Sequence, residues 1–337
     1  MKQLYPTLIA FFAVCTAASA QQEPMQTQFF FNKLAHNPGY AGSAETPEAT
    51  AMYRNQWMGL DGAPNTQTLS FNQPIFNNRV GVGANLSRMS IAITRVITLD
   101  LNYAYRIETN KGWIGIGIQA GARHFYQNWN DPRIITDVPR TVDGSIPTDA
   151  NSKVVANFGA GIYYKTAGWY AGVAGQRLYG NNIDFANVGN ILSREVIHLN
   201  AMAGTNISLT KDLRLNPQIL LKYVPGAPFD ADINASLWLK QKFYGGLTYR
   251  TGSGTTAGAG ESVDVLLGMQ ATEKLFFCLS YDIGLTPLRK YNNGTIEATV
   301  RYQFNPPAPD DTEVEPVFDF LNGVDKTKKS KKKKSKH

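Results

Sequence analysis

Between residues 49 and 304 the chain alternates apolar and polar positions with a period of two, in segments of about ten residues. That period puts alternate side chains on opposite faces of a strand. In Arg95 to Ile107, Ile97, Leu99, Leu101, Tyr103, Tyr105 and Ile107 share one face, while Thr98, Asp100, Asn102 and Arg106 share the other. Thr295 to Phe304 repeats the pattern, with Ile296, Ala298, Val300, Tyr302 and Phe304 opposite Glu297, Thr299, Arg301 and Gln303. So do Ile197 to Ser208 and the stretch from Leu275 to Ile283. The alternation predicts fourteen strands, over 49–58, 65–73, 79–88, 94–107, 112–125, 153–165, 168–178, 196–208, 212–224, 231–240, 242–251, 262–271, 274–284 and 294–304. Short polar links (108–111, 166–167, 209–211, 241, 272–273) alternate with longer ones (126–152, 179–195, 225–230, 252–261, 285–293). Long apolar-out strands joined in this way predict an all-β fold, a transmembrane antiparallel up-and-down β-barrel with lipid outside and a polar lumen. An even strand count brings both ends of the barrel to the same rim, the periplasmic one.

A soluble β-sandwich also alternates, but three features favour the barrel. Its strands are longer than the usual five or six residues. Aromatic residues gather near strand ends (Trp57, Trp113, Trp169, Tyr249, Tyr302, Phe304), where interfacial girdles lie. Glycines recur on the inferred inner face (Gly115, Gly117, Gly121, Gly159, Gly161), where backbone must curve or leave space. A barrel of this size has a lumen wide enough to hold a plug. Three segments stay outside it. Residues 1–20 read as an export leader, with Lys2, an apolar Leu8–Val14 and a small-residue Ala18-Ser19-Ala20 site. Residues 21–48 form an N-terminal periplasmic arm that folds into or under the barrel, and 305–337 form a periplasmic tail, Pro-rich and acidic, then Lys-rich.

Charge changes the picture little. Of the net +7, eight lysines lie in residues 326–337, and without them 25 basic groups face 26 acidic ones. The basicity belongs to a tail, which argues against nucleic acid as a partner. Once the leader is removed one thiol remains, Cys278, so neither an internal disulfide nor a thiolate metal site is expected. The four histidines are scattered, and neither a nucleophile elbow nor a phosphate loop occurs. Gly115-Ile-Gly117-Ile-Gln-Ala-Gly121 is one residue too long for a dinucleotide loop and suits a strand face. The sequence predicts no catalytic residues, no metal site and no cofactor. Inward Asp100, Asp232, Asp264, Asp282 and Glu297, with Arg106, Arg123, Arg177, Arg214, Arg250 and Arg301, read as a paired polar lumen.

The most distinctive stretch is the arm and first hairpin. It runs Gln28-Phe29-Phe30-Phe31-Asn32, then Asn37-Pro38-Gly39-Tyr40-Ala41-Gly42-Ser43, then Tyr53-Arg54-Asn55-Gln56-Trp57, and a Gly62-Ala63-Pro64 turn. Asn37-Pro38-Gly39 is a turn, because Pro fixes φ and Gly accepts φ > 0; it folds Phe29, Phe30 and Phe31 back toward burial. Arg54 and Gln56 share one face, with Trp57 on the other. These motifs, continued by Gln73-Pro74-Ile75-Phe76 and Val80-Gly81-Val82-Gly83, resemble the PorP/SprF family of type IX secretion system outer-membrane proteins of Bacteroidota. Phe31, Asn32, Asn37, Pro38, Gly39, Tyr40, Gly42, Arg54, Gln56 and Trp57 match the family pattern.

The resemblance implies a non-enzymatic component that supports secretion and surface anchoring of cargo such as a large adhesin, including gliding-related cargo. Its implied partners are the cargo's C-terminal signal domain and, in the periplasm, other secretion or peptidoglycan-associated proteins, with outer-membrane lipid around it. The expected cargo contacts are Trp129, Arg133 and Arg140 in a long loop, since aromatic residues and Arg anchor protein interfaces. Phe318, Phe320 and Lys331 are the expected periplasmic contacts of the tail. The alternative is a diffusion channel for a small hydrophobic solute.

Overall fold

The computed structural model describes residues 24–44, 46–134, 150–183, 194–252 and 260–304. The leader, the tail with Phe318, Phe320 and Lys331, and Arg140 lie outside the described residues.

The described chain forms fourteen strands: β1 (Glu48–Asn55), β2 (Asn65–Ile75), β3 (Val80–Ile91), β4 (Thr94–Thr109), β5 (Gly112–Gln127), β6 (Asn151–Thr166), β7 (Trp169–Gln176), β8 (His198–Thr205, resuming as Ile207–Ser208), β9 (Leu213–Tyr223), β10 (Asp230–Leu239), β11 (Phe243–Arg250), β12 (Ser262–Gln270), β13 (Leu275–Gly284) and β14 (Thr295–Gln303). Each pairs antiparallel with its chain neighbours, and β14 pairs with β1 from Glu48↔Gln303 to Asn55↔Ile296, which closes the barrel. Closure removes every sheet edge and satisfies the backbone within the wall, as a membrane interior demands.

The faces fall as the alternation predicts. Leu101 is 57% exposed, Ile118 62% and Leu267 68%, all facing outward, where lipid covers them. Asn102, Arg106, Asp232, Asp282 and Glu297 point inward and are buried.

Where strands end differs from the periodicity for local reasons. β1 stops at Asn55 rather than 58 because Trp57 turns with φ 51°. β7 stops at Gln176 because Arg177 takes φ 55°. β8 breaks at Asn206, opposite the Asn216–Pro217 step of β9; Pro217 has no N–H to give the ladder. The links after β2, β4, β6, β8, β10 and β12 are short. Between β10 and β11, Lys240 and Gln241 both have positive φ (52° and 53°), the backbone of a two-residue hairpin. The links at the opposite end are longer, except for Ala92–Ile93 between β3 and β4. The barrel therefore has a short-turn rim, where β1 begins and β14 ends, and a long-loop rim.

Candidate functional site

Residues 24–44 fill the lumen as three short 3₁₀ turns, Phe29–Phe31, Lys33–Ala35 and Pro38–Tyr40. Three consecutive aromatics cannot stay in water, and the wall supplies their burial. Phe29, Phe30 and Phe31 are 0%, 5% and 8% exposed, packed with Tyr163, Met202, Leu220, Tyr244, Leu266 and Phe276. Phe31 meets Phe276 at 4.8 Å and Tyr244 at 5.4 Å between ring centroids, and the Arg301 guanidinium lies over its face at 5.4 Å. Burying each such ring contributes roughly 1.5–3 kcal/mol.

Ahead of the rings, the arm is fixed by a buried charged hub. The Glu297 carboxylate accepts the backbone N–H of Thr27 (2.9 Å) and of Gln28 (2.8 Å). Arg54 pairs with Glu297 at 2.9 Å and Asp282 at 2.8 Å, and its Nη1 also donates to the Thr27 hydroxyl at 2.8 Å. The same hydroxyl donates to Asp282 at 2.8 Å. Beside them, Asp232 joins Arg250 (2.6 Å) to Lys222 (2.8 Å). Strands β1, β9, β10, β11, β13 and β14 thus converge on one point of the arm. Charged hydrogen bonds in a dry lumen are strong when every partner is present.

Beyond the rings the arm lies directly on bare backbone. Asn37 caps its own turn, Oδ1 accepting from Gly39 N at 2.8 Å, and its Nδ2 donates to the Ile162 carbonyl at 3.0 Å. Side chains on the wall would obstruct this contact: a Cβ at Gly117 would collide with the Pro38–Gly39 peptide, one at Gly161 or Gly172 with the Asn37 amide, and one at Gly83 with Leu34. The inner-face glycines noticed in sequence are the seat of the arm. Gln176 and Asn200 hold the carbonyls of Ala35 (2.8 Å) and His36 (3.3 Å), and Asn72 accepts Gly42 N at 2.7 Å. Tyr40 stacks edge-on against Tyr163 at 5.3 Å. Asn32 is buried between the first two turns.

The arm does not lie beneath the barrel with both chain ends at one rim. Pro24 and Met25 sit at the long-loop mouth, and the arm reaches the short-turn rim only at Glu48. Met25 separates two hollows there. One, about 240 Å³, is lined by Arg54, Gln56, Trp57, Arg250 and Arg289. The other, about 90 Å³, lies between Met25 and the wall near Asn85, Leu220 and Pro228.

Three other residues differ in placement from their sequence reading. Trp57 lines the mouth instead of a lipid girdle. Trp113 lies within 4.8 Å of the lumen-facing Arg106 guanidinium. Arg133 ties loops together: it bonds to Asp131 and to the Ala92 carbonyl, both at 2.8 Å, and lies 3.7 Å from Asp61. Its hydrogen bonds to Asp131 raise its pKa, so it stays charged. Trp129, in the same link, is half-buried.

The link after β7 folds into the mouth. Ile183 packs on Val96, Phe125 and Val155, and Glu195 forms a buried ion pair with Arg123. The alternation of β5 and β6 carried no sign of this inward fold.

The model of the family described as type IX secretion system membrane protein PorP/SprF matches residues 18–302. No curated protein matches the chain. Among solved structures it is similar to the toluene transporter TbuX of Ralstonia pickettii, at 10% identity over 81% of this chain and 93% of that one, with a TM-score of 0.48. It is also similar to CymD, a monoaromatic hydrocarbon channel (9%, 83% and 94%, 0.46), and to the outer membrane protein Omp33 of Acinetobacter baumannii (8%, 77% and 98%, 0.42).

Proposed function

Since this chain belongs to the PorP/SprF family of type IX secretion system membrane proteins, we propose that it works in the outer membrane by contact rather than by passage. It supports secretion of an exported protein and holds that protein at the cell surface, as a large adhesin or gliding-related cargo would be held. The observation that carries this reading is the arm: aromatic rings, a charged hub and a glycine seat occupy the lumen that a diffusion route would need. Chemistry is not part of the role. The long-loop face receives the cargo's C-terminal signal domain, with Trp129 and the link around it contributing. Outer-membrane barrels have short periplasmic turns and long outer loops, so the short-turn rim, with the tail beyond Phe304, faces periplasmic secretion or peptidoglycan-associated proteins.

The test compares proteins on the cell surface and in the medium, with and without this chain. The reading expects at least one large exported protein to leave the surface and to return when the chain is restored. Identical profiles would overturn it.

A further inference from the structure

The arm enters the lumen from the rim opposite the one where it becomes β1. Pro24 and Met25 line a hollow with Ala227 and Pro228 of the link after β9, and Met25 also lines the vestibule with Thr286 and Gly294 of the link after β13. All four of these wall residues belong to the long-loop rim. Thr27 and Gln28 are then bound by Glu297, the third residue of β14 counted from that rim. At the other end, the Ser43 carbonyl accepts from Lys165 at 3.2 Å, beside the short-turn rim. The arm therefore spans the barrel from mouth to mouth.

We propose that the amino end of the mature chain is presented at the long-loop face and forms part of the contact surface there. Cleavage after Ala20 leaves only residues 21–23 ahead of Pro24, an extended reach of about 10 Å. A free α-ammonium and the Glu23 carboxylate favour water over a closed lumen, since burying a charge is costly unless it is paired. The neighbouring surface is built for contact. The links after β1 and β13 are joined across the β1–β14 seam by Met58 N→Gly294 O (2.8 Å) and Asn293 N→Met58 O (2.7 Å). They hold Leu60, Arg289, Lys290 and Tyr291 exposed on one platform. A partner gripping this platform meets the chain's own amino end, and a pull on that end is borne by Glu297, Arg54 and Asp282. This inference deepens the function proposed above, because it takes the long-loop face to be the outer one.

Single cysteines test the path of the arm. Gln22→Cys is compared in intact cells with Lys290→Cys on the platform and Thr272→Cys in a short turn, using a membrane-impermeant maleimide; the unmodified chain, whose Cys278 is buried, is the blank. The expected result is labelling at 22 and 290 in intact cells, and at 272 only after permeabilisation. Labelling of 290 in intact cells with 22 reactive only after permeabilisation would overturn the inference. Labelling of 272 in intact cells with 290 silent would overturn the orientation proposed above; the arm's path then still requires 22 to follow 290, and is overturned if 22 follows 272.

Discussion

Changing Glu297 to Gln should loosen the arm without opening the barrel wall. The carboxylate accepts Thr27 N (2.9 Å), Gln28 N (2.8 Å) and Arg54 Nη1 (2.9 Å). An amide keeps one acceptor oxygen but turns an NH₂ toward donors that need an acceptor. Breaking a buried ion pair from one side costs about 3–5 kcal/mol. Arg54 keeps Asp282 at 2.8 Å, which places the loss near the lower figure, about 3 kcal/mol. At roughly 1.4 kcal/mol per tenfold change, the open-arm population should rise about a hundredfold. Hydrogen exchange at the Thr27 and Gln28 amides reads that population directly when opening is fast. Heat-modifiable migration checks that the barrel itself remains folded. If these two amides exchange in Glu297→Gln as slowly as in the native chain, the carboxylate is not what seats the arm.

Three further outcomes follow from the same geometry. Leu101→Arg places a charge on the lipid face and should cost about 2–4 kcal/mol at mid-bilayer, whereas Asp100→Arg on the lumen side should insert more readily, as equilibrium folding into vesicles would measure. Gly117→Val sets a side chain against the Pro38–Gly39 peptide; overpacking of about 1–3 kcal/mol should raise protease sensitivity of the arm while β4–β6 stay resistant. Deleting 128–148 should leave the barrel folded and lower the amount of exported protein held at the surface, read by surface labelling.

The wall was legible because a lipid face and a lumen face impose opposite demands on alternate residues, so Leu99, Leu101 and Tyr103 or Val300 and Tyr302 mark themselves. The aromatic arm was legible as a plug, since Phe29, Phe30 and Phe31 require burial whatever surrounds them. The hub was not. Asp282, Glu297 and Arg54 are far apart in sequence, and alternation marks each as inward without saying that one arm segment binds all three. Nor was the arm's direction legible, because its path is set by where Gly117, Gly161 and Gly172 leave room. The glycines were read as lumen-facing, but their purpose shows only once Asn37 and Pro38 rest on them. The inward fold of the link after β7 depends on the pairing of Arg123 with Glu195 across three strands. No local pattern encodes that contact.

The central claim is that this barrel is closed by its own arm and acts by contact. It is tested most directly by planar-bilayer conductance of the purified native chain beside one lacking residues 24–46. The account predicts an electrically silent native barrel and a steady ion current through the shortened one. A native chain that conducts as freely as its armless counterpart would contradict it.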